Sequence, residues 1–277
     1  CKTMDQNKAP KQKTLAMIST LPLQVLKQPL LGRELHQRYD EYGIIQVFDD
    51  GNKRYLSFGT ADEQSCQLLA RPNQPQHDYS RAMISVLNVM SAAPSRVAIL
   101  GTGGGLLARA LFEHLDDVVI DAVDLRQAVI QVAYQYFGLP RSSKLKTHAL
   151  SAHDFIAQAP DNHYELLFSD LYLADGLDLQ QLQTTFIEHC QRVLQEDGWL
   201  VLNLWKEHRE NGVMLPLLRE YFLTVMHATT TDGNWIIWAS NTKQTIPEKT
   251  EARKKAKQLS ELFGFNMWRA AKGFYKS

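Results

Sequence analysis

Cysteine is scarce in this chain. Cys1, Cys66 and Cys190 are all it has among 277 residues, far apart and without a Cys-x-x-Cys spacing. That argues against a disulfide framework and a cysteine-built zinc site, and fits a reducing cytoplasm. Neither sign of charge is in excess, with 30 basic and 30 acidic residues, so no general field draws the chain to nucleic acid or to an anionic membrane. Long apolar runs are missing too. The stretch TLAMISTLPLQVL, after KQK, contains Pro22, lacks a clear small-residue cleavage site and is too short to span a bilayer, so neither secretion nor a membrane anchor is expected. The chain begins with Cys1 where a Met would stand, so its true start is expected to be trimmed, processed or missing. Nine histidines show no paired metal-ligand spacing, no Gly-x-Ser-x-Gly elbow occurs, and no Gly-Lys-Ser/Thr phosphate loop is present. Hydrolase triads, nucleoside triphosphatases and metalloenzymes therefore fall away, and no metal is expected.

What is present is ordinary globular composition, 44% hydrophobic, in a distinct order. Residues 1–33 read as an N-terminal extension. From 34 to 75 the pattern alternates apolar and polar on both sides of Asp50-Gly51-Asn52, a hairpin signal that makes this a small β region. Residues 76–240 begin with a helix and then alternate strand and helix patterns from RVAILG to NWIIWAS, which predicts a doubly wound parallel sheet. FLTVMHATT and NWIIWAS, joined through Asp232-Gly233, should pair antiparallel at its edge. A Rossmann-like sheet finished by such a hairpin is the arrangement of class I S-adenosylmethionine-dependent methyltransferase folds. Residues 241–277 hold PEKTEARKKAKQLSELFGF, which reads as one amphipathic helix whose basic run is a solvated face.

In such a sheet a ligand lies beyond the carboxyl ends of the strands. After the first comes VAILGTGGGLLARAL, where Gly101, Gly103, Gly104 and Gly105 form a turn that lets backbone approach a nucleotide and leads into a helix N-terminus. Leu106 stands where a dinucleotide fingerprint needs its third glycine, so a nicotinamide or flavin dinucleotide is not the expected ligand. After the second strand comes Asp124, 19 residues beyond Gly105, placed to accept both ribose hydroxyls or, alternatively, to cap the next helix. Ser151, with Asp154 three residues on, follows the third in a helix-start pattern. Asp170 directly follows ELLF, at the mouth of the sheet, where a carboxylate can act as a base; Asp175-Gly176 beyond it has turn chemistry.

Taken together, the β hairpin region, HDYSRAM, VAILGTGGG, AVDLRQAVIQVAYQYF, YELLFSD and GWLVLNLW resemble the spermidine synthase family of polyamine aminopropyltransferases, from about Glu34 to about Ser240. Ile99 stands where methyltransferases usually carry an acid before the first glycine. The resemblance implies transfer of an aminopropyl group from decarboxylated S-adenosylmethionine, or use of S-adenosylmethionine itself, with a small-molecule amine as acceptor and a homodimeric assembly. It implies Asp170 as general base, Tyr79 beside the amine, and Gly101, Gly103 and Gly105 with Asp124 and Gln64 around the nucleoside. Tyr172 and Asp175 fall on the substrate side. Four departures remove acids: Gly104 replaces the acid that holds the aminopropyl amine, Ser151 the one at adenine, Leu173 a second acid of the base motif, and Ser80-Arg81 a His-Glu pair. Arg81 adds positive charge, which suits a methyltransferase that pairs it with the carboxylate of S-adenosylmethionine. A catalytically weak nucleoside-binding protein of the same fold is the third reading.

Overall fold

The computed structural model describes residues 32–59, 63–173 and 176–276; TLAMISTLPLQVL and Asp175 lie outside them. Strands β1 (Arg33–Asp40), β2 (Gly43–Asp49), β3 (Lys53–Ser57) and β4 (Glu63–Leu68) form an antiparallel sheet in sequence order. Its first two turns are made by aspartates: Asp40 accepts the Tyr42 N–H at 2.9 Å, and Asp50 accepts those of Asn52 and Lys53 at 2.8 and 2.6 Å.

Downstream, β5 (Arg96–Leu100), β6 (Val119–Asp124), β7 (Leu145–Ala149), β8 (Tyr164–Ser169), β11 (Leu194–Trp205), β12 (Thr224–Thr229) and β13 (Asn234–Ser240) build a seven-stranded sheet in the order β12-β13-β11-β8-β5-β6-β7. The five strands from β11 to β7 run parallel, while β13 pairs antiparallel with both β11 and β12. The edge hairpin expected from FLTVMHATT and NWIIWAS is therefore present. A two-stranded ribbon, β9 (Tyr172–Leu173) with β10 (Gly176–Leu177), follows β8.

Successive residues of these strands point to opposite faces. Ile99, Phe168, Val201 and Trp238 bury on one face, against α1 (Asp78–Ile84), α2 (Leu106–His114), α8 (Lys249–Phe263) and α9 (Met267–Ala271). Leu100, Leu167, Leu202 and Ile237 bury on the other, against α4 (Ala152–Gln158), α5 (Thr184–Val193) and α7 (Met214–Tyr221). Helices on both faces explain why the strands read as nearly continuous apolar runs. Helix α3 (Gln127–Tyr136), which follows Asp124 at the end of β6, buries Val129 and Val132 against Ile45, Val47 and Leu56 of the four-stranded sheet. Short α6 (Glu207–Glu210) follows β11.

PEKTEARKKAKQLSELFGF forms one helix, α8, as its pattern suggested, and a second short helix, α9, follows it. Helix α8 closes at Gly264, whose N–H bonds Ser260 O at 2.9 Å, and Asn266 caps α9 by accepting the Arg269 N–H. Ala252, Ala256 and Phe263 form the buried stripe of α8; Lys249, Lys254 and Lys257 face solvent, while Lys255 turns inward and donates from Nζ to Met90 O. No helix among the described residues is long and apolar enough to cross a membrane.

Candidate active site

Three strand ends meet at the glycine turn. Gly101 N–H donates to Val123 O at 2.9 Å and Asp170 N–H to Leu100 O at 2.8 Å. A Cβ on Gly101 would lie 2.0 Å from the carbonyl oxygen of Asp170, and its φ is +93°, so glycine is obligatory there. The turn then folds back onto Asp124, whose Oδ2 accepts the Gly103 N–H at 3.0 Å and whose Oδ1 accepts the Arg126 N–H at 2.9 Å. The Thr102 N–H hydrogen-bonds to the same carboxyl group, which leaves about one of its four lone-pair sites for a ligand hydroxyl. Burial pushes the Asp124 carboxyl up to about 6, against the pull of these backbone donors and the Arg126 charge.

Asp124 and Asp170 open into one cleft of about 1000 Å³. Leu106, Val123 and Leu125 supply apolar wall, and Gln64, Ser151 and Phe58 add polar and aromatic surface. This is the combination that takes a nucleoside: apolar walls for the base and an oriented carboxylate for the ribose.

Asp170 sits one residue past β8 with Oδ1 accepting from Asn203 Nδ2 at 2.8 Å, and the Tyr79 hydroxyl hydrogen-bonds to the same carboxyl group. Burial raises its pKa to about 6, and the two hydrogen bonds oppose that rise. The group is thus ionised near neutral pH yet can take a proton, the range suited to a general base. Tyr79 is pushed well above the usual phenol range, first by burial and then by the Asp170 charge. Its ring stacks on His77, with centroids 5.3 Å apart, and burial lowers the proton affinity of that imidazole.

Gly101, Gly103, Asp124, Ser151, Gln64, Tyr79, Tyr172 and Asp170 all border this cleft. Ser151 also caps α4: its Oγ accepts the Asp154 N–H at 3.0 Å and donates to the Asp154 carboxylate at 2.7 Å. Other expected residues lie elsewhere. Gly104 and Gly105 stand behind the turn, the first donating its N–H to Ser65 Oγ at 2.9 Å and the second facing Leu139. Arg81 does not border the cleft, which corrects its placement as a substrate-binding cation. Its Nε donates to Pro75 O at 2.9 Å, its Nη1 lies 3.5 Å from Asp78, and its guanidinium faces the Phe265 ring. Two residues on from Tyr79 along a helix, a side chain points to the opposite side.

Sequence reasoning missed Asn203, Asn234 and three acids. Asp178, Glu207 and Asp232 border the cleft from three different segments, with Tyr172 and Trp205 as an aromatic pair whose centroids are 5.8 Å apart. These acids lie outside the positions that the resemblance implied. Of the cations on the wall, Arg126 is bound by Asp40, which leaves Lys206.

Asp124, Asp170 and Tyr79 thus border one cleft, and similarity to known proteins adds the family. The family model for the spermine/spermidine synthase domain matches residues 76–250. The chain belongs to this family. A polyamine aminopropyltransferase from Chromobacterium violaceum is 31% identical over 232 residues, spanning 79% of this chain and 85% of that protein. Among solved structures, a probable spermidine synthase from Corynebacterium glutamicum superposes with a TM-score of 0.70 at 19% identity, covering 88% of this chain and 94% of the other. Human methyltransferase-like protein 13, solved with SAH, superposes at 0.60 with 21% identity, covering 68% of this chain and 93% of that one. Both superpositions show the fold: a Rossmann-like sheet of the S-adenosylmethionine-dependent methyltransferase class, preceded here by the small β sheet.

Proposed function

We propose that this chain transfers an aminopropyl group from decarboxylated S-adenosylmethionine to an amine. The observation that carries the reading is Asp170, held between Asn203 and Tyr79 in the same cleft as Asp124. Asp124 binds a ribose hydroxyl, and Leu106, Val123 and Leu125 enclose the nucleoside. Asp170 accepts a proton from the acceptor ammonium. The freed nitrogen lone pair forms a bond to the carbon next to the sulfonium, the C–S bond breaks, and its electron pair stays on sulfur, releasing neutral methylthioadenosine. Tyr79, neutral throughout, keeps its hydroxyl on the Asp170 carboxylate and fixes the direction of the remaining lone pairs.

Both reactants are cations, and the wall suits them. Asp178, Glu207 and Asp232 join Asp170, and Tyr172 with Trp205 offers aromatic faces to an alkylammonium chain. These acids favour an acceptor with a second ammonium group. The methyltransferase alternative drew on Arg81 as partner for a carboxylate, and Arg81 is engaged outside the cleft. A homodimer working in the cytoplasm is part of the proposal.

The test is methylthioadenosine formation from decarboxylated S-adenosylmethionine with a diamine. Asp170→Asn keeps the shape and removes the base, so kcat should fall about 100-fold or more while methylthioadenosine still binds. Persisting turnover in that variant overturns the role of Asp170. No turnover by the wild type with any amine, or tighter calorimetric binding of S-adenosylmethionine than of its decarboxylated form, overturns the aminopropyl reading.

A further inference from the structure

Behind the Asp170 carboxylate lies an amide whose orientation is not free. Asn203, on β11 and 1% exposed, donates from Nδ2 to Asp170 Oδ1 at 2.8 Å. Its Oδ1 accepts from Asn234 Nδ2 at 3.0 Å. Asn234 opens β13, is itself half-buried, and hydrogen-bonds to the Tyr172 hydroxyl. An amide has donors at one end and an acceptor at the other. Turned by half a revolution, Asn203 would set its oxygen against the carboxylate and its NH₂ against the NH₂ of Asn234. Both contacts would be repulsive, in a place with little water to replace them.

We infer that Asn234 and Asn203 are positioning residues for the base: Asn234 selects which end of Asn203 faces Asp170, and the Asn203 N–H sets the proton affinity and aim of that carboxylate. The inference rests on the reading of Asp170 as base. A donor to a carboxylate favours the ionised form. Asn203 and Tyr79 are the two donors that oppose the effect of burial on Asp170. With Asn203 removed, one donor is left against the same burial, and Asp170 becomes protonated nearer neutral pH, where it no longer accepts a proton.

Other titratable groups stay constant through this comparison. Tyr79 from α1 and Tyr172 from β9 feel the Asp170 charge directly, and burial keeps both phenols neutral. Farther along the cleft wall are His77 ahead of α1, Asp124 after β6, and Arg126 tied to Asp40. Asp178, Lys206, Glu207 and Asp232 complete the charged wall. Neither amide carries charge, so replacing one changes the hydrogen bond to Asp170 and leaves this background in place.

The experiment is a ¹³C carboxyl titration of Asp170 in the free full-length protein, its signal assigned by loss in Asp170→Asn, alongside pH profiles of kcat. In Asn203→Ala the Asp170 titration should move up by about one unit or more, and kcat should fall about threefold or more at pH ~6.5 while changing little at pH ~8.5. Asn234→Ala should move it less, in the same direction, and the double variant should match Asn203→Ala alone, because the two amides act in series. An unmoved titration in folded Asn203→Ala, or a loss equal at every pH, makes the amides packing elements and overturns the inference. Should Asn203→Ala fail to fold, Asn234→Ala decides by the same criterion. If the wild type turns over no amine, the transferase reading fails, while the titration still decides this one.

Discussion

Arg126 closes a two-bond fork on Asp40, with Nε to Oδ2 at 3.0 Å and Nη2 to Oδ1 at 2.7 Å, and the two side chains are 6% and 13% exposed. The same guanidinium donates to Gly43 O at 2.9 Å and lies 4.6 Å from the Phe58 ring, while its backbone N–H bonds Asp124. One residue thereby ties the first hairpin of the small sheet to Asp124. Burial alone would raise the Asp40 pKa, but the Arg126 fork and the Tyr42 N–H outweigh it and hold the carboxyl below its ordinary value.

Removing one partner of this buried pair should be severe. Arg126→Ala is expected to lose on the order of 2–4 kcal/mol in urea denaturation, and Asp40→Asn somewhat less, with the double variant far from additive. Because the folded pKa of Asp40 is depressed, its contribution is present above pH ~4 and fades as the pH falls below that. Additive losses in the double variant would mean that the fork is not an energetic unit.

Asp170 acts on stability with the opposite sign. Its folded pKa of about 6 lies above the ordinary 3.8, so the folded state holds a proton that the unfolded chain releases first. The unliganded protein therefore loses stability as pH rises from about 4 to about 6. Asp170→Asn should be more stable than the wild type at pH ~7.5, by on the order of 1–3 kcal/mol, with the gain vanishing near pH ~4. Thermal melts at the two pH values test this; a less stable Asp170→Asn at pH ~7.5 contradicts it.

Nucleoside affinity should separate Asp124 from Ser151. Asp124→Ala removes a carboxylate that can accept a ribose hydroxyl and should weaken methylthioadenosine binding about 10- to 100-fold. Ser151→Ala chiefly loses the α4 cap, so it should lower stability by about 1 kcal/mol with a smaller change in affinity. Calorimetry on folded variants distinguishes the two, and equal affinity in Asp124→Ala and wild type refutes the ribose assignment.

Restoring the family acid at Gly104 should harm this chain. A Cβ there would lie 2.9 Å from Ser65 Cβ and 3.4 Å from Phe137, because β4 packs directly behind the turn. Gly104→Asp is expected to be destabilised by about 1–3 kcal/mol, and adding Ser65→Gly should recover part of the loss. A Gly104→Asp protein as stable as wild type would show that β4 yields at little energetic cost.

Local pattern carried the fold a long way. Strand and helix order from VAILG to NWIIWAS, the edge hairpin through Asp232-Gly233, and the positions of Gly101, Asp124 and Asp170 were legible because each follows from a run of neighbouring residues: apolar period, turn chemistry, the residue just past a strand. Arg81 was within reach of the same reasoning, since its half-turn offset from Tyr79 on α1 turns it away from the cleft. What the chain's order could not show are meetings between distant segments. Ser65 bonds Gly104 across 39 positions, and Asn203 meets Asn234 across 31. Asp178, Glu207 and Asp232 reach one cleft from three separate segments of the chain. The family resemblance implied acids missing at particular positions, and only the tertiary structure showed other acids bordering the same cleft. Electrostatic attraction depends on where charges stand in space and not on where they stand along the chain.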